Sequence, residues 1–240
     1  MFTEVTITAT PGRSPRITAV GGLTARLTGP DRVHLISTAA TPLGDDQIVV
    51  RIEVASGARL ELTTTAATVI YPGRGDQTST ATWDLTVGED GSLVVCPLPT
   101  ILVPRSRHRS VVRADLDDTS RLLVTESVQR GRSNETAGSW SGTMSVDVAG
   151  RPVLRHRIDL PGMATSIGRW PAPRALVSAF RYPAQADEAA VSPVVAAGRM
   201  PLAGGGELIT ATGADVVSAQ AAADDLLLDA RWPAGGLVSI

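Results

Sequence analysis

IVVRIEVASGARLELTTTAATVIYP, residues 48–72, decides the fold. Val50, Ile52 and Val54 alternate with other residues, the period of two by which an extended strand buries one face. Ser56-Gly57 interrupts the run as a turn, and a second strand begins at Leu60. The unit then recurs in TATWDLTVGEDGSLVVCPLPTILVP (80–104) and SVVRADLDDTSRLLVTESVQRG (110–131). Each copy has an alternating strand, a turn rich in Gly, Asp or Ser, and a second strand opening on Leu. The inward positions are Trp83, Leu85 and Val87 in one copy and Val112, Ala114 and Leu116 in the next. Leu60, Leu93 and Leu122 mark intervals of about 30 residues, a spacing that signals stacked supersecondary units.

The predicted fold class is therefore mainly β, with β-helical, stacked strand repeats and a small C-terminal helical part. Periodicity alone is also compatible with a sandwich of hairpins. The stack is preferred because the interval is longer than one hairpin and shorter than a Greek-key pair. TMSVDVAGRPVLRHRIDL (143–160) adds two further strands, giving a β-rich body over residues 1–160. Residues 161–240 are rich in Gly, Ala and Pro and are expected to pack on the same domain. Within them DVVSAQAAADDLLLDAR reads as a helix with Asp215 as N-cap and Val217, Ala221, Leu226 and Leu227 near helical spacing. Arg231 falls near its end, and Trp232-Pro233 and Gly235-Gly236 stop it. A shorter helix is expected around ALVSAF (175–180).

Composition narrows the function. The 240 residues carry 43% hydrophobic and 19% charged residues, enough to bury a core as one domain. Aromatics make up only 3%, which argues against extended stacking platforms for bases or sugars. A formal charge of −2 supplies no global basic field for nucleic acid or acidic membranes. Lysine is absent, so all 22 basic residues are arginine. That excludes a Schiff-base lysine and a GxxxxGK[ST] phosphate loop. The single cysteine, Cys96, forms no internal disulfide, and the first residues lack a basic segment followed by an apolar run; a cytoplasmic location is expected. No apolar run approaches the roughly 18 residues of a membrane span.

The three histidines, His34, His108 and His156, have none of the spacings used for zinc. GSWSG (138–142) places Trp140 where a GxSxG nucleophile would stand. Arg74-Gly75-Asp76 reads as a hairpin tip, and Cys96 as a small hydrophobe in an apolar strand. Arg105, Arg107, Arg109 and Arg113 alternate along a strand, as a docking face for an acidic partner or as an edge protected from strand pairing. Asp45-Asp46 after Gly44 suits either a solvated turn or weak oxygen ligation of a passing cation.

Five elements in order carry a family resemblance over residues 20–160: Gly44-Asp45-Asp46, Gly57-Ala58, Thr63 through Tyr71, Cys96-Pro97 with Ile101, and Gly131-Arg132. Together they resemble the urease accessory proteins UreD, called UreH in some organisms. The resemblance implies a strand-rich β-helical fold, no catalytic activity, and no tightly bound cofactor beyond a nickel ion held in transit. It implies assembly with a UreF-like accessory protein, the GTPase UreG and apo-urease, and no contact with nucleic acid or membrane. Nickel would pass through or along the protein toward the urease active site, with Asp45, Asp46, Glu126 and His156 as the residues that guide it. Ala39, Ala40, Thr41 and Pro42 replace glycines of the family pattern, which stiffens that loop, and Glu135 is the available counterpart of the family's Glu after Gly-Arg. Two other classes stand beside this reading: a β-solenoid carbohydrate-active enzyme using Asp45, Asp46 or Asp84 with arginines, and a structural binding module without an ion role.

Overall fold

The computed structural model describes residues 1–132, 135, 138–162, 173–192 and 196–228, and the backbone of 166–167 and 170–171. The chain opens with β1 (Phe2–Ala9), β2 (Arg16–Val20), β3 (Leu23–Leu27) and β4 (Arg32–Ser37). The repetitive middle follows as β5 (Gln47–Val54), β6 (Arg59–Thr64), β7 (Thr68–Ile70), β8 (Ser79–Val87), β9 (Ser92–Val95), β10 (Thr100–Leu102), β11 (Arg107–Leu116), β12 (Arg121–Arg130) and β13 (Ser139–Val148). Then come β14 (Arg151–Leu160), β15 (Ser166–Ile167), β16 (Trp170–Pro171), β17 (Ala175–Tyr182), β18 (Ala190–Val191), β19 (Ala196–Pro201), β20 (Glu207–Gly213) and the helix α1 (Val216–Leu228).

The chain passes back and forth between two facing sheets. The first has the order β14-β13-β11-β8-β5-β1-β2, and the second the order β18-β19-β20-β17-β12-β9-β6-β4-β3. Each repeat read from the sequence is one coil, with its first strand in one sheet and its second in the other. Neighbouring coils pair in parallel, so like positions stack: Leu60, Leu93 and Leu122 are direct register partners. Val50, Trp83 and Val112 form a second such ladder. The Leu ladder is almost fully buried, at 1%, 0% and 0% exposure. Burial on that scale contributes roughly 1.5–3 kcal/mol per leucine, which the conformational entropy of the ordered chain largely offsets. The stack is thus the fold, and the register explains the sequence interval.

Coiling ends where the pairing turns antiparallel. β14 returns along β13 and closes the first sheet, while β17 and β20 extend the second beyond β12. The segment expected as a short helix, ALVSAF, is β17, a central strand with every residue buried. Its inner face meets the core between the sheets and its outer face lies under α1, so it has no polar side to reveal a period. Helix α1 begins as expected at Asp215, whose Oδ1 accepts from Ser218 N at 2.8 Å. Its buried stripe differs from the expectation. Ala219, Ala222, Ala223, Leu226 and Leu227 pack on the second sheet, while Val217 is 76% exposed. Small alanines let the helix lie close to the sheet. Arg231, Trp232-Pro233 and Gly235-Gly236 lie outside the described residues.

The outward face of the first sheet is polar. Arg51, Asp84 and Arg113 stack across β5, β8 and β11, with Arg113 Nη1 3.2 Å and Arg51 Nε 4.0 Å from Asp84. Such exposed pairs add little stability, but they mark this face as solvated.

Candidate functional site

Inside the coil the alternation that builds the core also places polar groups. On β11 the outward positions are Arg107, Arg109 and Arg113, and the inward ones are His108, Ser110 and Val112. On β12 the inward positions after Leu122 and Val124 are Glu126 and Val128. These side chains meet between the sheets in a cavity of about 200 Å³. Its walls come from successive coils: Leu35 and Thr41, then Val50 and Thr64, then Trp83 and Val95, then His108 and Glu126, with Trp140 on β13. The cavity therefore follows the direction in which the coils stack.

Two titratable groups face it. Glu126 accepts a short hydrogen bond from Ser110 Oγ across the sheets. Burial pushes its carboxyl up to about 7, against the opposing influence of the Ser110 bond. The side chain lines the cavity and is partly accessible there. His108 is pushed down to about 4 by burial and is neutral at physiological pH. Its Nδ1 lies 2.8 Å from Ser79 Oγ, and Ser79 Oγ lies 3.3 Å from the Arg107 carbonyl. In the neutral ring one nitrogen donates and the other keeps its lone pair: if the Ser79 proton goes to the carbonyl, Nδ1 donates to Ser79 and Nε2 is the free acceptor, and if it goes to Nδ1, Nε2 carries the N–H. Across the second sheet Glu126 is the register partner of Ser178, and Ser178 of Thr210. The Ser178 and Thr210 hydroxyls are buried without a hydrogen-bond partner among the described residues. A polar row thus crosses an otherwise apolar interior.

The residues singled out in the sequence are dispersed. Asp45 is exposed on the corner before β5. Asp46 is buried and holds that corner together, accepting from Thr41 Oγ1 at 2.8 Å and Leu43 N at 3.0 Å and pairing with the Met1 amino group. Burial works to raise its carboxyl, but these hydrogen bonds outweigh it and hold the group below the usual carboxylate range. His156 is half-buried on β14 opposite Met144, and burial lowers its pKa. Only Glu126 of the four lines the cavity. Arg130, the arginine nearest to it in sequence, donates instead to the carbonyls of Pro173 at 3.0 Å and Gly162 at 3.3 Å. Cys96 packs beside the α1 cluster, and burial pushes its thiol up to about 11, so it stays protonated at neutral pH.

His108, Ser79 and Ser110 escaped a reading based on metal-ligand spacing. Their signal is different: polar residues at strand positions whose parity points inward. Among the described residues no three His, Cys, Asp or Glu side chains converge as a metal site, so this interior offers at most one or two weak ligands at a time. No helix among them is long and apolar enough to cross a membrane.

The family described as UreD urease accessory protein matches residues 23–233. A "Urease accessory protein UreD 1" from Saccharopolyspora erythraea is 35% identical over 201 residues, covering 83% of this chain and 78% of that protein. A UreD from Frankia casuarinae is 32% identical over 240 residues, 88% of this chain and 75% of the relative, and one from Frankia alni is 34% identical over 209 residues, 78% and 70%. With a match across nearly its whole length, the chain belongs to the UreD family of urease accessory proteins.

Proposed function

We propose that this protein is a urease maturation scaffold that links apo-urease to UreF- and UreG-like accessory proteins and lets nickel reach the urease active site along its interior. Family membership supports the maturation role. The observation that carries the nickel route is the cavity along the stacked coils, with Glu126 and His108 as its titratable groups. Nickel accepts both carboxylate oxygen and imidazole nitrogen, and the pair is too small a set to trap it. A conduit needs sites that bind enough to admit an ion and weakly enough to release it. Asp45 would meet the ion on the corner whose Thr41 and Pro42 line the cavity, and Asp46 would keep that corner in shape. His156 would act only where the route leaves the coil.

The test is urease activation in a purified system at limiting nickel. Glu126→Gln with His108→Ala should leave the accessory complex intact on size-exclusion chromatography and slow activation roughly tenfold. Unchanged activation kinetics with both groups removed would rule out the interior route.

A further inference from the structure

The corners that return the chain from the second sheet to the first stack along one edge of the coil. Arg107 Nη2 lies 2.9 Å from Asp76, joining the corner before β8 to β11. Gly131 N donates to Leu102 O at 2.7 Å, and Arg174 Nη2 donates to the carbonyls of Arg132 at 3.1 Å and Glu135 at 3.2 Å. This edge gathers Arg74, Arg105, Arg107, Arg109, Arg132 and Arg174 against Asp45, Asp76 and Glu135, with Asp46 already paired to the Met1 amino group, in a chain whose net charge is −2. Arg74, Arg105 and Arg109 make no ion pair among the described residues, and all three are exposed. Arg74, Arg105 and Arg132 sit on successive corners, one per coil, and of the three Arg132 is paired, to Glu135.

Two further features mark the same edge. Arg105 has φ +64°, a left-handed conformation that glycine would adopt without strain, yet a long cation is held there. Leu43 and Tyr71, bridged to each other, are 40% and 46% exposed, and Tyr71 is close enough to Arg132 to interact with its charge. The opposite edge is mixed: its turns carry Glu89, Asp90, Asp117 and Asp118 together with Arg13, and Arg59, Arg121 and Arg151 open the strands that follow.

We propose that the arginine edge, with Leu43 and Tyr71 at its flank, docks an acidic surface of a partner protein. Tyr and Arg around a small apolar centre are the composition of interface hot spots. A nucleic acid would meet one exposed aromatic here and a chain of net charge −2, which disfavours that ligand. The inference rests on the scaffold reading and names the chemistry of its docking face.

Purified apo-urease and the UreF-like protein, each immobilised separately, are the probes. Affinity is measured across a salt series for the wild type, for Arg74→Glu/Arg105→Glu/Arg132→Glu, and for Arg13→Glu/Arg59→Glu/Arg121→Glu on exposed sites of the opposite side. The first triple should weaken binding to one probe at least tenfold and flatten its salt dependence, while the second changes it less than threefold. Equal weakening by both triples, or no weakening by the first, overturns the proposal but leaves the scaffold reading standing. Wild type that binds neither probe overturns the scaffold reading itself. Binding to a single-stranded DNA 20-mer, or salt-sensitive self-association, that disappears in the first triple while both probes still bind also overturns it. Arg105→Gly separates docking from folding: it should melt higher than wild type and bind at least threefold more weakly, and unchanged binding counts against the edge.

Discussion

Replacing Glu126 with Gln should stabilise the protein in alkaline solution while impairing nickel passage. Glu126 has its carboxyl pushed up to about 7 by burial, from 4.5 in an open chain. Because the folded pKa is raised, the folded state holds its proton where the unfolded state has lost it. The contribution to stability is therefore complete below the unfolded value and is lost as pH rises through the folded one. Across that window the loss is about 1.4 kcal/mol per pH unit, or roughly 3 kcal/mol in all. Glutamine cannot ionise, yet its carbonyl still accepts from Ser110 Oγ, so the variant avoids the penalty and keeps the contact. Thermal melts of the two proteins should coincide near pH 4.5 and diverge until about pH 8, where the variant melts higher by about 6–12 °C for a chain of this size. A melting difference that is the same at both pH values would refute the claim that burial sets this pKa.

Asp45 and Asp46 should separate cleanly: Asp46→Ala removes the acceptor for Thr41 Oγ1 and Leu43 N and should cost about 2–3 kcal/mol in urea unfolding, while Asp45→Ala stays within about 0.5 kcal/mol. Since the folded pKa of Asp46 is depressed, its contribution is present above the ordinary carboxylate pKa and fades as pH falls through the folded value; equal unfolding midpoints at pH 3 and pH 7 relative to the variant would contradict this. Gly142→Ala should destabilise by about 1–3 kcal/mol, because a Cβ there would lie 2.1 Å from Trp140 Cη2 and force the indole from the cavity wall; an unchanged melting temperature would show that the ring does not rest on Gly142.

The coil was legible because its evidence is local and repeated. Leu60, Leu93 and Leu122 could be aligned by eye, and their direct pairing follows once each repeat makes one turn. β17 was illegible for a physical reason: a strand buried on both faces loses the alternation that identifies strands, and ALVSAF then resembles a helix. The helix stripe was misplaced because alanine contributes little to a hydrophobic pattern, although Ala219, Ala222 and Ala223 form the contact. The site was half legible. Glu126 could be singled out, but its partner Ser110 is 16 residues away and on the other sheet. His108 sat in an arginine-rich stretch whose charges drew attention to the outward face.

A coil of stacked parallel strands has a property that explains why such a site can exist in it. Every inward position of one coil lies beside the same position of the next, so the character of the interior changes only slowly along the stack. Close to the acidic turns those positions are Val54, Val87, Leu116 and Val148, all nearly fully buried. At the other ends of the same strands they are Asp46, Ser79 and His108, with Ser110 next along β11. One half of the interior is thus an apolar core that supplies stability, and the half beside the arginine edge holds the polar groups and the cavity. Polar groups concentrated there leave the Leu and Val ladders intact, so an internal route can be kept open without dismantling the packing that holds the coils together. Polar substitutions at Val87 or Leu116 should therefore unfold the protein, whereas Ser79→Ala and Ser110→Ala should leave it folded and alter only what the cavity admits.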